Sequence, residues 1–170
     1  MLIQGKLLTY GNDLSEAYNI RRNVFISEIG LNENEEFDGL DQEAMHVIVY
    51  EENPNWKDSN SDAKNQKKAV ATGRIIFNGA DCIIDKVAVL QDYRNMKYGD
   101  FAVRMLLNKA FTAGINIVTI YAAQSVKDFF KKIGFQETGN TVLENGIEKY
   151  RMDIHSNNLV KQCNRYKQNS

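Results

Sequence analysis

The sequence predicts a mixed α/β fold: a largely antiparallel central sheet with helices on both faces, in the order β-α-β-β-β-α-β-α-β. Three observations predict it. Alternating or β-branched stretches recur along the chain, a hairpin signal lies near residue 80, and from Gly99 onward helix and strand patterns alternate, as in crossover units.

Residues 2–9 read as the first strand, closed by Gly11-Asn12. Asp13-Leu14-Ser15-Glu16 has the form of a capping box, with Asp13 accepting from the backbone and Glu16 reaching back. Leu14, Ala17, Tyr18, Val24 and Phe25 keep helical spacing, so an amphipathic helix is expected over 14–27. Asn32 to Asp41 is acidic and turn-rich, hence a loop. Residues 44–51 return to strand character, and 53–66, with Trp56, form a polar connection. Strands at 69–77 and 82–90 flank the turn Asn78-Gly79-Ala80-Asp81. Val103, Leu106, Leu107 and Ala110 then mark a helix that Gly114 stops. Residues 115–121 are β-branched strand. Ser125 caps a short helix bearing Val126, Phe129, Phe130 and Ile133, which Gly134 ends. Residues 148–154 alternate as the last strand, giving one domain over 1–155 and a polar tail over 156–170.

The bulk numbers narrow the function. The 170 residues are 43% hydrophobic and 25% charged, with net charge −1. Those values suit a globular chain that hides roughly two-thirds of its unfolded surface. Near-neutral charge offers no footprint for nucleic acid or an anionic membrane. The longest apolar runs are too short to span a bilayer. The start lacks a basic segment followed by an apolar core, and Cys82 and Cys163 match no metal or redox spacing. A cytoplasmic protein with reduced thiols is expected. Two histidines, His46 and His155, and unmatched cysteines make no zinc set. Asn34, Glu36, Asp38 and Gly39 have a superficial calcium-loop spacing, but Met45 stands where a bidentate glutamate is needed. No metal is expected.

The informative stretch is Asp85 to Asp100. A strand end, a polar loop and a helix start bring free backbone amides together, and the helix dipole adds positive potential. Arg94 and Lys97 add formal charge. From spacing alone, a solvated corner and an anion site both remain open.

Val87-Ala88-Val89, followed by Tyr93-Arg94-x-x-Lys97-x-Gly99 and a helix, resembles the acetyl-CoA-binding motif of the GNAT superfamily of N-acyltransferases, usually Arg/Gln-x-x-Gly-x-Gly/Ala. Ala123-Gln124 and Phe129-Phe130-Lys131-Lys132-Ile133-Gly134-Phe135 are similar to a later family segment. Arg22, Val24-Phe25 and Glu28, then Glu36-x-Asp38-x-x-Asp41, resemble the first helix and acceptor-side loop of one bacterial branch. The resemblance covers roughly residues 1–154.

It implies a GNAT-like fold and transfer of an acetyl group from acetyl-CoA directly to an amine, small-molecule or peptide. Val87, Ala88 and Val89 would align the pantetheine arm like an added strand. Arg94, Asn95, Met96, Lys97, Tyr98, Gly99 and Asp100 would hold the diphosphate, with Gln124, Phe129 and Phe130 completing the cofactor site. Glu28 would be the general base, and Glu36, Asp38 and Asp41 would hold a cationic acceptor. Two departures stand out. Lys97 replaces the usual glycine, whose freedom at positive φ the loop exploits. Phe130 replaces the tyrosine that usually protonates the leaving thiolate, so either water or another hydroxyl, with Tyr121 the candidate, does that work, or the chain is a slow or inactive member. A non-catalytic acyl-CoA-binding module, a signal-synthase activity suggested by the acidic motif, and a homodimer stay open.

Overall fold

The computed structural model describes residues 2–9, 11–52, 67–79 and 81–158. The polar connection 53–66 with its Trp56, Ala80 of the hairpin turn, Cys163 and the tail beyond 158 lie outside the described residues. The order is β1 (Leu2–Thr9), α1 (Ser15–Arg21), a π-helical segment (Arg22–Glu28), α2 (Glu33–Glu36), a 3-10 turn (Leu40–Glu43), β2 (Ala44–Glu52), β3 (Lys67–Asn78), β4 (Asp81–Val89), α3 (Tyr98–Thr112), β5 (Ile117–Ala123), α4 (Lys127–Ile133), β6 (Gln136–Glu144) and β7 (Ile147–His155). The strands form a seven-stranded mixed sheet ordered β1-β2-β3-β4-β5-β7-β6. β1 runs antiparallel to β2, and β7 antiparallel to both β5 and β6. β4 and β5 are parallel, with Ile83 opposite Thr119. The mixed α/β reading therefore holds.

Contacts group the chain into two compact units. The first runs up to Ile75 and resumes over Lys86–Leu106; the second comprises Ile76–Asp85 and the chain from Leu107 onward. In the first, Leu8, Leu14, Ala17 and Ile48 form one apolar cluster, and Ile20, Val24 and Ala88 another. Leu14, Ala17 and Val24 are among the positions that helical spacing selected, whereas Ile20 is not. In the second, Phe130 packs edge-on against Phe129 and Phe135, with ring centroids 4.9 and 5.7 Å apart. Val118, Ile120, Ile133, Met152 and Ile154 are buried there.

Several local expectations give way. The helix expected over 14–27 is α-helical only to Arg21 and then widens to π geometry, a rare form that recurs at functional sites. The capping box at Asp13 does not form. Asp13 accepts from the Ser15 N–H at 2.9 Å, while Glu16 accepts from the Tyr50 hydroxyl at 2.5 Å. A true capping box closes at the next α-helix, where Asn32 and Glu35 cap α2 inside the stretch expected to be loop. Ser125 lies in a 3-10 turn and caps nothing; Val126 occupies the N-cap of α4. Gly114 and Gly134 do stop their helices, at φ +87° and +122°.

The chief omission is β6. Its nine residues are all exposed, so no buried face imposes an alternating pattern. The signal was Asn145-Gly146, whose φ values of +52° and +74° suit the two-residue turn that closes β6 on β7.

Candidate functional site

The Asp85–Asp100 stretch becomes the end of β4, a 3-10 turn at Gln91–Tyr93, a short loop and the start of α3. Asn95 and Lys97 both adopt left-handed backbone, at φ +63° and +67°. Lys97 thus keeps the conformation in which the motif normally has glycine, at a cost of about 1–2 kcal/mol. The amides of Tyr93 and Arg94 turn back onto Leu90 and Gln91 carbonyls, and Phe101 donates to Lys97. Among the described residues, nothing accepts from the amides of Asn95, Met96, Lys97, Gly99 or Asp100. Five donors are therefore gathered at the positive end of a fifteen-residue helix. Tyr98 anchors the loop from below, 1% exposed and 6.1 Å from the Tyr93 ring. Burial, helped by a hydrogen bond to Glu51, pushes its phenol up to about 12. Lys97 is exposed, while Asp100 is held by Arg104 one turn on, at 2.8 Å.

Arg94 joins two residues that sequence reasoning kept apart. Its Nη1 and Nη2 donate to the two Glu28 carboxylate oxygens, each at 2.6 Å, and its Nε donates to the Val89 carbonyl at 3.2 Å. The Arg94 hydrogen bonds hold the Glu28 carboxyl below its usual range. In this state Glu28 is a weak base, occupied on both oxygens, beside the loop. A cavity of about 450 Å³ opens here, lined by Asn23, Ser27 and Glu28 of the π-helical segment, by Lys68, and by Leu90 through Tyr93.

The acidic motif is the clearest correction. Glu36 is fully buried, accepting from Arg21 Nε at 2.5 Å and Lys86 Nζ at 3.1 Å. Asp41, 6% exposed, accepts from Arg21 at 2.7 Å and Arg74 at 2.9 Å. Asp38 takes both Nη atoms of Arg74 at 2.7 Å. Burial alone would raise the Asp38 carboxyl, but Arg74 and the Leu40 amide outweigh it and hold it at about 2. Glu36 and Asp41 are consumed inside the protein, because a buried carboxylate must be paired, and neither is presented to an acceptor. Sequence spacing showed the carboxylates but not Arg21, Arg74 and Lys86, their partners from three other elements. His46 lies in the same nest, with Nε2 3.3 Å from the Asp41 carbonyl and Nδ1 buried without a partner among the described residues. Burial lowers its pKa and keeps it neutral.

In the second unit, Tyr121 is half-buried on β5 opposite Arg151 of β7, and Gln124 is exposed. Phe130, 8% exposed, is a core ring, and Phe129 is partly exposed beside it.

A strand ending in an amide-rich loop at a helix start, set in this mixed sheet, is the architecture of an acyl-CoA-dependent N-acyltransferase. Residues 33–156 match the acetyltransferase (GNAT) domain, and the chain belongs to that family. It is 29% identical over 145 residues to the uncharacterized protein YyaT of Bacillus subtilis (strain 168), covering 84% of this chain and 88% of that one. The crystal structure of Escherichia coli ElaA superposes with a TM-score of 0.69 at 21% identity, over 89% of this chain and 99% of that one. A GNAT family acetyltransferase from Elizabethkingia anophelis, with acetyl-CoA bound, superposes at 0.61 and 15% identity, over 90% and 97%. No helix among the described residues is long and apolar enough to cross a membrane.

Proposed function

We propose that this chain takes acetyl-CoA as its acyl donor and transfers the acetyl group directly to the amine of a small molecule or peptide. The carrying observation is the set of amides of Asn95, Met96, Lys97, Gly99 and Asp100, which have no acceptor among the described residues and lie beside two left-handed residues. That array suits a diphosphate, whose oxygens need several donors at once. The pantetheine arm would lie along Val87–Val89. The amine nitrogen attacks the thioester carbon, the C–S bond breaks, and CoA leaves as the thiol once its sulfur is protonated. Positioning and proton transfer are the protein's share.

Tyr121 is the proposed acid, since Phe130 has no proton to give and is spent on core packing. Glu28 can serve as base only after Arg94 leaves it for phosphate. Glu36, Asp38 and Asp41 are assigned to holding the first unit together, which removes the support for a signal-synthase activity.

Calorimetric titration with acetyl-CoA tests the reading. Lys97→Glu, at an exposed position, should weaken binding at least about tenfold by putting negative charge where phosphate belongs. Unchanged affinity would overturn the assignment of the loop. Thiol release over a panel of amines then separates transferase from the non-catalytic module. Acetyl-CoA binding without amine-dependent release favours the module, for which the core position of Phe130 is the supporting observation.

A further inference from the structure

With Glu36 and Asp41 paired inside the first unit, the residues that hold an acceptor have to come from elsewhere. The cavity of about 450 Å³ beside Glu28 is lined entirely by residues of that unit. Its volume falls within the roughly 300–1,000 Å³ of small-molecule sites. Val24, Leu90 and Tyr93 supply apolar wall, whereas Glu28, Asp92 and Lys68 supply charge.

The charges are of both signs. Glu28 is held by Arg94 in the free protein, and the Asp92 carboxylate has no partner among the described residues. Lys68 is the informative residue. Strand alternation turns it away from its neighbour Lys67, which pairs with Glu52 at 2.8 Å. Its ammonium lies over the Tyr93 ring, 4.8 Å from the centroid, and meets no carboxylate among the described residues. A cation on a ring face is positioned without being neutralised, so it keeps its attraction for an anion. Once donor phosphate takes Arg94, the wall carries two carboxylates and one ammonium. Its complement is a molecule with an ammonium, a carboxylate and an apolar body.

We propose that this cavity is the acceptor pocket and that the acceptor is an apolar α-amino acid, its amino group toward Glu28 and Asp92 and its carboxylate on Lys68. The inference rests on the acyl-CoA reading of the site and gives that reading its acceptor class. Lys68 sets specificity and touches no reacting atom. An amine without a carboxylate leaves the Lys68 ammonium unmatched, and a polyamine meets it with like charge. In the reaction the amino nitrogen bonds to the thioester carbon as the C–S bond breaks. The ammonium gives up two protons, one through Glu28 to solvent and one to the departing sulfur. The products are the N-acetyl amino acid and CoA thiol.

Thiol release from acetyl-CoA with matched acceptors tests the proposal: phenylalanine against phenethylamine, and leucine against isoamylamine. Each pair differs only in the carboxylate. The wild-type protein should favour the amino acid of each pair at least about tenfold in kcat/KM, through KM. Lys68→Gln, at an exposed position, should erase that preference by raising KM for the amino acid, with its melting temperature unchanged. Lys68→Arg, which keeps the charge, should retain the preference. Equal use of both members by the wild-type protein overturns the proposal, as does a preference that survives in Lys68→Gln. So does acetyl-CoA binding with no thiol release from either amino acid. A wild-type protein that does not bind acetyl-CoA in calorimetry is a different result, and overturns the reading beneath the proposal.

Discussion

The family resemblance gives Arg94 and Glu28 separate tasks, one at the diphosphate and one as general base toward the amine. Their bidentate pair makes them a single unit in the free protein. The reason is geometric: the π-helical segment ends at Glu28, and its turn brings that carboxylate to the loop after β4. An exposed pair of this kind is worth little on its own, so phosphate can compete for Arg94. Glu28→Gln should therefore tighten acetyl-CoA binding by about two- to fivefold, because Arg94 is released and a negative neighbour is removed. Calorimetry on the variant measures this. Weaker binding would show that Glu28 holds Arg94 in its productive orientation instead. Lys97 makes the complementary point. The loop geometry survives the loss of glycine because the chain tolerates strain at one exposed residue, and the ammonium it gains faces outward.

Elements succeed or fail in sequence reasoning according to whether they have a buried face. β2 and α3 were legible because burial writes a continuous apolar run into β2, covered on both faces, and a period of 3.6 into α3; Val47, Ile48, Val49, Leu106 and Leu107 are fully buried. β6 was not legible, since none of its residues is buried. It depends instead on its turn to β7. Gly146 sits at φ +74°, where a Cβ costs about 1–2 kcal/mol. Gly146→Ala should lower the urea midpoint by a corresponding amount, and an unchanged midpoint would show that the hairpin does not need this turn. The capping boxes carry the same lesson. The Asp13 pattern lost Glu16 to Tyr50, a partner 34 residues away, whereas the Asn32–Glu35 pattern met no competitor and closed.

At the scale of the whole molecule, the arginine pairs of the part-exposed Asp38 and the buried Asp41 predict the response to acid. Asp38 has a folded pKa of about 2 against an ordinary 3.8, and Asp41 is also lowered, its burial outweighed by Arg21 and Arg74. A carboxyl depressed on folding binds its proton more readily in the unfolded chain. Its stabilisation is complete above the unfolded value and is lost as pH falls toward the folded one. The melting temperature should hold steady from pH 7 to about pH 5 and then fall steeply between about pH 4 and 2. In Asp38→Asn that fall should be shallower and start from a lower plateau. A thermal scan series across pH gives the answer. Were the two proteins to fall in parallel, Asp38 would not be contributing. Removing one member of a buried pair such as Arg21–Glu36 or Arg21–Asp41 generally costs about 3–5 kcal/mol, which is why Glu36 and Asp41 stay bound to their arginine partner.

What the sequence determined by itself was the mixed fold, the order of most elements, and the strand–loop–helix over 85–100 that carries the family resemblance. Those features are local: side-chain period, turn residues and a short motif are all written within a few tens of residues. The tertiary structure alone decided which charges are spent. Arg21, Glu36, Asp41, Arg74 and Lys86 come from five places in the chain, and only their convergence in a buried site makes their pairing obligatory. The same convergence pairs Glu36 and Asp41 of the acidic motif inside the protein, because a charge removed from water needs an opposite charge beside it.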